Sequence, residues 1–359
     1  MKDSQSLKKK QRKFIRKNKT EELVEKKPVA LLAEEKKELQ KLVTPKDSQN
    51  FFKRHEGDFI LVLIPLILLG ILFTLVTINA HVRKIISDRS IRPFESSIQM
   101  NPYPFISDVT MPALSAKAAI ITDADSQVIL FSKNSQLRFS MASTTKIMTA
   151  LAGLDYFTDK SVLTVKTYGV EGSTLGLQVG ERFYFEDLLY MMLLPSANDA
   201  AVTIADNYPG GKDAFVARMN EKAKELHLEN THFSDPAGLD DDEDYTTVVE
   251  IARLASYAIK NKKFATVTGT REKIVSNVDY TRQYPLTNLN KLLGTEGVTG
   301  IKTGTTEGAG EVLVTSTIAN GHTFIIVVMN STQRFVDTKA LLTFITDNVQ
   351  YLMPVAPGK

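Results

Sequence analysis

Residues Val298–Asn330 read VTGIKTGTTEGAGEVLVTSTIANGHTFIIVVMN, three apolar runs separated by two turn-forming breaks. The runs VTGIKTGT, EVLVTSTIA and HTFIIVVMN are rich in β-branched residues, which suit a pleated and partly buried surface. Asn320-Gly321 between the last two is a two-residue hairpin signal. A late antiparallel meander is therefore predicted. A second hairpin signal lies far upstream, where AKAAIIT and QVILFS flank Asp123-Ala124-Asp125-Ser126, and the two sets are expected to pair across the domain. Helical patterns occupy the middle: Thr144 to Leu154, FEDLLYMMLL, NDAAVTIAD, AFVARMNEKAKEL and TTVVEIARLASYAI. A last helix is expected over Val336 to Tyr351. The fold class that follows is α/β of the α+β type, an antiparallel β-sheet flanked by helices with a helical subdomain.

The chain has 359 residues, 43% hydrophobic and 24% charged, which is the composition of a globular protein. A net charge of only +3 argues against nucleic acid as a partner. That charge is unevenly placed, because Met1–Asp58 holds 17 Lys and Arg against 10 Asp and Glu. Without cysteine there is neither a disulfide framework nor a thiolate metal site. Phe59–Ala80, FILVLIPLILLGILFTLVTINA, has no ionisable side chain. As a helix it would extend roughly 33 Å, enough for the hydrocarbon core of a bilayer. It is too long for the apolar core of a cleaved signal peptide, and the basic side is expected to stay in the cytoplasm.

These readings divide the chain. Residues 1–58 form a basic cytoplasmic tail, mostly disordered, in which VALLAEEKKELQKLV has the pattern of a short amphipathic helix. Residues 59–80 are a transmembrane signal anchor. An extracytoplasmic stalk over 81–113 is broken by Pro93, Pro102, Pro104 and Pro112. The folded body covers 114–353, and 354–359 is a tail.

Within the body, Ala142–Ala150 reads ASTTKIMTA, so Ser143 and Lys146 lie one helical turn apart on one face. The same spacing suits an ordinary capped helix start, and Ser6-Leu7-Lys8-Lys9 in the tail matches it by chance. Pro195–Asp199, PSAND, stops one helix and caps the next. Gly300–Thr305, GIKTGT, ends a strand in small residues. Each is weak singly. Together, in this order, serine-x-x-lysine, serine-x-asparagine and lysine-threonine-glycine form the signature of serine enzymes that react with penicillin.

The sequence resembles the D-alanyl-D-alanine carboxypeptidases among the low-molecular-mass penicillin-binding proteins. The resemblance runs from Pro112 to Thr332 and includes PALSAKAAIITDADSQVILFSKN, GSTLGLQVGERFYFEDLLYMMLLPSANDAA, FSDPAGLDDDEDYTTVVEIARLASYA and GIKTGTTEGAGEVLV. It implies the penicilloyl serine transferase fold, with the site between a helical subdomain and the sheet. It also implies that Ser143 attacks the penultimate D-alanine carbonyl of a peptidoglycan peptide ending in D-Ala-D-Ala, and that β-lactams inhibit. Lys146 would be the base, Ser196 a proton relay to the leaving amine, and Asn198 the group that orients substrate and Lys146. Lys302, Thr303, Gly304 and Thr305 would bind substrate along the strand edge, with the N–H groups of Ser143 and Thr305 as oxyanion donors. Such a base works only when neutral, so burial or a like charge from Lys302 should depress the pKa of Lys146. No cofactor and no metal are expected.

The pattern departs from the family at two points. Thr305 stands where many members carry histidine. Many members also have a C-terminal β-rich domain and a membrane-binding helix, whereas this sequence ends soon after its last expected helix, so the N-terminal anchor is expected to serve instead. D,D-endopeptidase and transpeptidase share the cleft and remain open, as does a catalytically silent wall-binding protein. A serine β-lactamase is disfavoured because the glutamate-x-x-leucine-asparagine stretch is absent between Asn198 and Lys302. His227 and His232 lack a third ligand, DDDED at Asp240–Asp244 reads as a solvated loop, and Glu307 reads as structural. Oligomeric state is not legible.

Overall fold

The computed structural model describes residues 56–88, 103–106, 110–239 and 242–352. These fall in two compact units, Met1–Ile98 and Gln99–Lys359. The first contains α1 (Glu56–Asp88), a helix with Pro65 near its start. Its stretch Leu63–Ile85 is long and apolar enough to cross a membrane and none of it is buried. A helix that is apolar all round and exposed has no aqueous environment in which it is stable. It continues past Ala80 into the expected stalk, because no Pro or Gly interrupts residues 81–88. The expected tail up to residue 55, its amphipathic segment, the stalk over 89–102 and the C-terminal residues 353–359 lie outside the described residues.

The second unit begins with β1 (Tyr103–Ile106), β2 (Ala118–Asp123) and β3 (Ile129–Lys133). A 3₁₀ turn at Ala142–Thr145 leads into α2 (Lys146–Tyr156). Helices α3 (Phe185–Leu193), α4 (Asn198–Asp206), α5 (Gly211–Glu225), α6 (Val248–Ala258) and α7 (Lys262–Thr268) follow. The chain then forms β4 (Val298–Thr306), β5 (Gly310–Ala319), β6 (His322–Ser331), α8 (Arg334–Asn348) and β7 (Val349–Leu352).

Strands β4, β5, β6, β2 and β3 lie side by side in that order, every pair antiparallel. The early hairpin and the late meander thus meet as expected, with Val327 opposite Ile120. Alternation along the strands divides the core. Ala118, Ile120, Val312, Val314, Ile325 and Val327 join the core cluster of the helical subdomain. Their neighbours Ala119, Ile121, Leu313, Ile326 and Val328 pack with Leu341, Leu342 and Ile345 of α8 on the other face. Both faces are covered, which is why β6 carries an unbroken run of buried apolar residues from Phe324 to Met329.

The last helix ends three residues earlier than its apolar pattern suggests. Val349–Leu352 is instead a strand, paired with Tyr103–Ile106. That pairing also joins the chain to the fold ahead of the Leu114 boundary read from sequence. Asp337 ties the same region down, its carboxylate accepting bonds from Ser115 N, Ser115 Oγ, Ala116 N and Ser331 Oγ at 2.7–2.9 Å.

Candidate active site

Ser143 sits in the 3₁₀ turn, not at a helix cap. Neither this turn nor α2 has a side-chain cap. Its Oγ faces Lys146 Nζ at 2.9 Å instead. Ala142 before it is held in the left-handed region at φ 48°, and Gly304 of β4 lies against this turn. A Cβ at Gly304 would come within 3.0 Å of Ala142 Cβ and 3.1 Å of Ser143 N. Glycine there lets the edge strand approach the serine backbone closely.

Lys146 begins α2 and is fully buried. Besides Ser143, its Nζ bonds Asn198 Oδ1 at 2.7 Å and the carbonyl of Ala237 at 2.6 Å. Burial depresses its pKa from 10.5 to about 7, against the opposing charges of Asp235, Asp244 and Asp199. Of the two causes expected from sequence, burial or a like charge from Lys302, it is burial that acts on Lys146. Lys302 is itself held well below the usual lysine value by burial, with Lys146 and Arg334 adding to the effect. A neutral Lys146 has two N–H groups and one lone pair. Asn198 Oδ1 and the Ala237 carbonyl can only accept, so they use both hydrogens and leave the lone pair for the hydroxyl of Ser143.

Ser196 follows α3 at φ 68°, and its buried Oγ has no hydrogen-bond partner among the described residues. Asn198 opens α4, its Nδ2 donating to the Glu171 carbonyl at 2.7 Å. On β4, Lys302 and Thr303 are buried and Thr305 is exposed. Lys302 Nζ donates to Thr303 O at 2.9 Å. Arg334 Nη1 donates to the Gly304 carbonyl at 2.7 Å and to Thr305 Oγ1. A groove of about 520 Å³, lined by Thr167, Tyr168, Gly176, Leu177 and Asp199, lies beside the Asn198 segment.

The family model described as Peptidase S11, D-alanyl-D-alanine carboxypeptidase, matches residues 106–333. The chain belongs to this D-alanyl-D-alanine carboxypeptidase family. A carboxypeptidase of that name from Streptomyces sp. K15 is 34% identical over 62% of this chain and 84% of its own. D-alanyl-D-alanine carboxypeptidase DacF of Bacillus subtilis is also 34% identical, over 58% of this chain and 55% of its own, so the match spans little more than half of that relative. The crystal structure of the Streptomyces K15 DD-transpeptidase superposes with a TM-score of 0.63 at 31% identity, covering 66% of this chain and 98% of that one. Mixed helices and antiparallel sheet thus arrange as a transpeptidase-like fold.

In this carboxypeptidase-family chain the sequence reading overlooked several groups. Ala237 acts through its backbone carbonyl, which no residue pattern announces. Asp235 shapes that loop by accepting from Ala237 N at 2.6 Å, Gly238 N at 2.9 Å and Leu239 N at 3.0 Å. Arg334 lies 30 positions beyond Gly304 and reaches the strand only because α8 starts beside it. Asp244 departs from the solvated loop assigned to it: it is buried and accepts from Thr145 Oγ1 at 3.0 Å. Asp240 and Asp241 lie outside the described residues. His232 Nδ1 lies 2.8 Å from the Glu243 carbonyl, His227 follows α5 at φ 54°, and Glu307 is exposed.

Proposed function

We propose that the chain is a membrane-anchored, serine-type D-Ala-D-Ala carboxypeptidase that removes the terminal D-alanine from peptidoglycan stem peptides. The observation that carries this reading is the buried Ser143–Lys146–Asn198 contact, with the Lys146 pKa depressed to about 7. A hydroxyl is a poor nucleophile until a base takes its proton. In this scheme Ser143 Oγ bonds to the penultimate carbonyl carbon while its proton passes to Lys146 Nζ. The resulting oxyanion is held by the N–H groups of Ser143 and Thr305. Collapse breaks the C–N bond, and Ser196 passes a proton from Lys146 to the departing amine. Water then cleaves the Ser143 ester, giving the shortened peptide and the free hydroxyl.

The substrate would add along β4 at Gly304 in the manner of a strand. Its terminal carboxylate would meet Lys302, Thr303, Thr305 and Arg334, a cationic and hydroxyl-rich corner of the cleft. A β-lactam, an acyl donor whose leaving group stays tethered, would trap the ester. The span at 59–80 would hold the body at the cell membrane with the N-terminus cytoplasmic, as the basic excess before it favours.

Two likenesses favour a second reading, D,D-endopeptidase or transpeptidase action in the same cleft. A relative in Escherichia coli that is 28% identical is named an endopeptidase, and the Streptomyces structure is named a transpeptidase. Incubating the full chain with a peptide ending in D-Ala-D-Ala and, separately, with a crosslinked dimer distinguishes them. The proposal expects free D-alanine from the first; cleavage of the dimer alone would transfer the assignment to the endopeptidase.

A further inference from the structure

The segment Glu171–Leu177 has no role in the scheme above, yet its polar contacts converge on the Asn198 segment. Asn198 Nδ2 donates to Glu171 O and Asn198 N to Ser173 O, each at 2.7 Å. The Asp199 carboxylate accepts from Leu175 N and Leu177 N, both at 3.0 Å. Asn198 therefore bridges this loop to Lys146, with one end of its amide on Glu171 and the other on Nζ. We infer that Gly172 is a positioning residue for the reaction: its lack of a side chain leaves room for the Asn198 amide to stay on Lys146 and keep the lysine lone pair aimed at Ser143. The inference rests on the acylation scheme proposed above.

Geometry isolates the effect. Gly172 has φ 76°, and a Cβ there would lie 2.5 Å from Asn198 Nδ2. The atom it meets is the far end of a side chain, which swings away at little cost to the fold but loses its place in the site. Gly169, in the same loop, has φ 71° and nothing within 4 Å of its Cβ position. Alanine at either glycine carries the same left-handed backbone strain, and only alanine at 172 displaces Asn198. Gly169→Ala is therefore the control for strain.

The test measures the acylation rate of the full chain by a fluorescent penicillin. Gly172→Ala should acylate about 10- to 100-fold more slowly than Gly169→Ala, the size expected when a reacting group is misplaced. In an Asn198→Ala background, where the obstructing amide is gone, Gly172→Ala should cause no further loss. This double variant has room for the new methyl, so the comparison survives even if the single variant folds poorly. The acidic limb of the rate profile should also move to lower pH in Gly172→Ala, because a lost acceptor no longer favours charged Lys146. The charges facing Lys146, namely Asp235, Asp244, Asp199 and Lys302, are the same in both variants. Equal rates for the two single variants, or the same loss from Gly172→Ala with and without Asn198, would overturn the inference while leaving the function standing. Failure of the wild type to acylate at all would overturn both.

Discussion

At the scale of single residues, the proposed reaction depends on where Lys146 keeps its protons. A lysine held near 7 by burial is the charged form below that pH and the neutral base above it. Acylation should therefore rise through about pH 7 and fall about tenfold for each unit below roughly pH 6, which a stopped-time labelling series reads directly. Stability is linked with the same sign. Between about 7 and 10.5 the unfolded lysine binds a proton that the folded one does not, so the cost of this group to the native state is relieved as pH rises through that window. Ser143, Lys146 and Asn198, which the fold brings into contact, were picked out in the sequence by short motifs standing in a set order. Two acceptors that set the Lys146 lone pair were not both legible. Asn198 is a side chain in a motif, whereas the Ala237 carbonyl is backbone and depends on a loop folded around Asp235. The sequence left burial and a like charge from Lys302 both open as causes of a depressed Lys146 pKa, and the packed structure decides for burial.

At the scale of elements, the late strands were legible because β-branched runs with a hairpin turn leave few alternatives. Five of the six central helices, α2 to α6, were legible because their apolar periodicity lasts for at least two turns, whereas α7 has only seven residues. The ribbons Val162–Thr164 with Arg182–Tyr184, and Glu272–Ser276 with Gln283–Thr287, are too short or too exposed to announce themselves. The switch from α8 to β7 was hidden for another reason: FITDNVQYL keeps an apolar rhythm while tertiary pairing with β1 decides its form. Serine at the start of α2 looked like a cap, but it lies in a 3₁₀ turn against β4 with its hydroxyl 2.9 Å from Lys146 Nζ. Asp337 gives this level its own prediction. Its four hydrogen bonds outweigh the upward effect of burial and hold its carboxyl below the usual 3.8. Asp337→Ala should lower stability by about 3 kcal/mol, as expected when bonds to a buried carboxylate are lost. For a domain of this size that is a fall of roughly 6–12 °C in Tm. Because the folded pKa is depressed, this stabilisation is present above about pH 4 and lost as pH falls through the native value, so a melting series against pH should be flatter in the variant at its acid end.

At the scale of the whole molecule, an exposed apolar helix precedes a body whose sheet carries helices on both faces. In the sequence, uninterrupted apolar residues at Phe59–Ala80 give way to alternating patterns further on. The join was less so, since α1 outlasts the expected span and β1 enters the fold through a pairing with β7 over 240 residues away in sequence. Gln99–Lys359 contains every residue assigned to the proposed chemistry, and the helix apolar enough to cross a membrane belongs to the other unit. The most direct measurement is made on the full chain in its membrane fraction, labelled with a penicillin, digested and read by mass spectrometry for the acylated peptide. The account predicts one adduct, carried by the peptide that contains Ser143 and abolished in Ser143→Ala. An adduct on another residue, or equal labelling of Ser143→Ala, would contradict it.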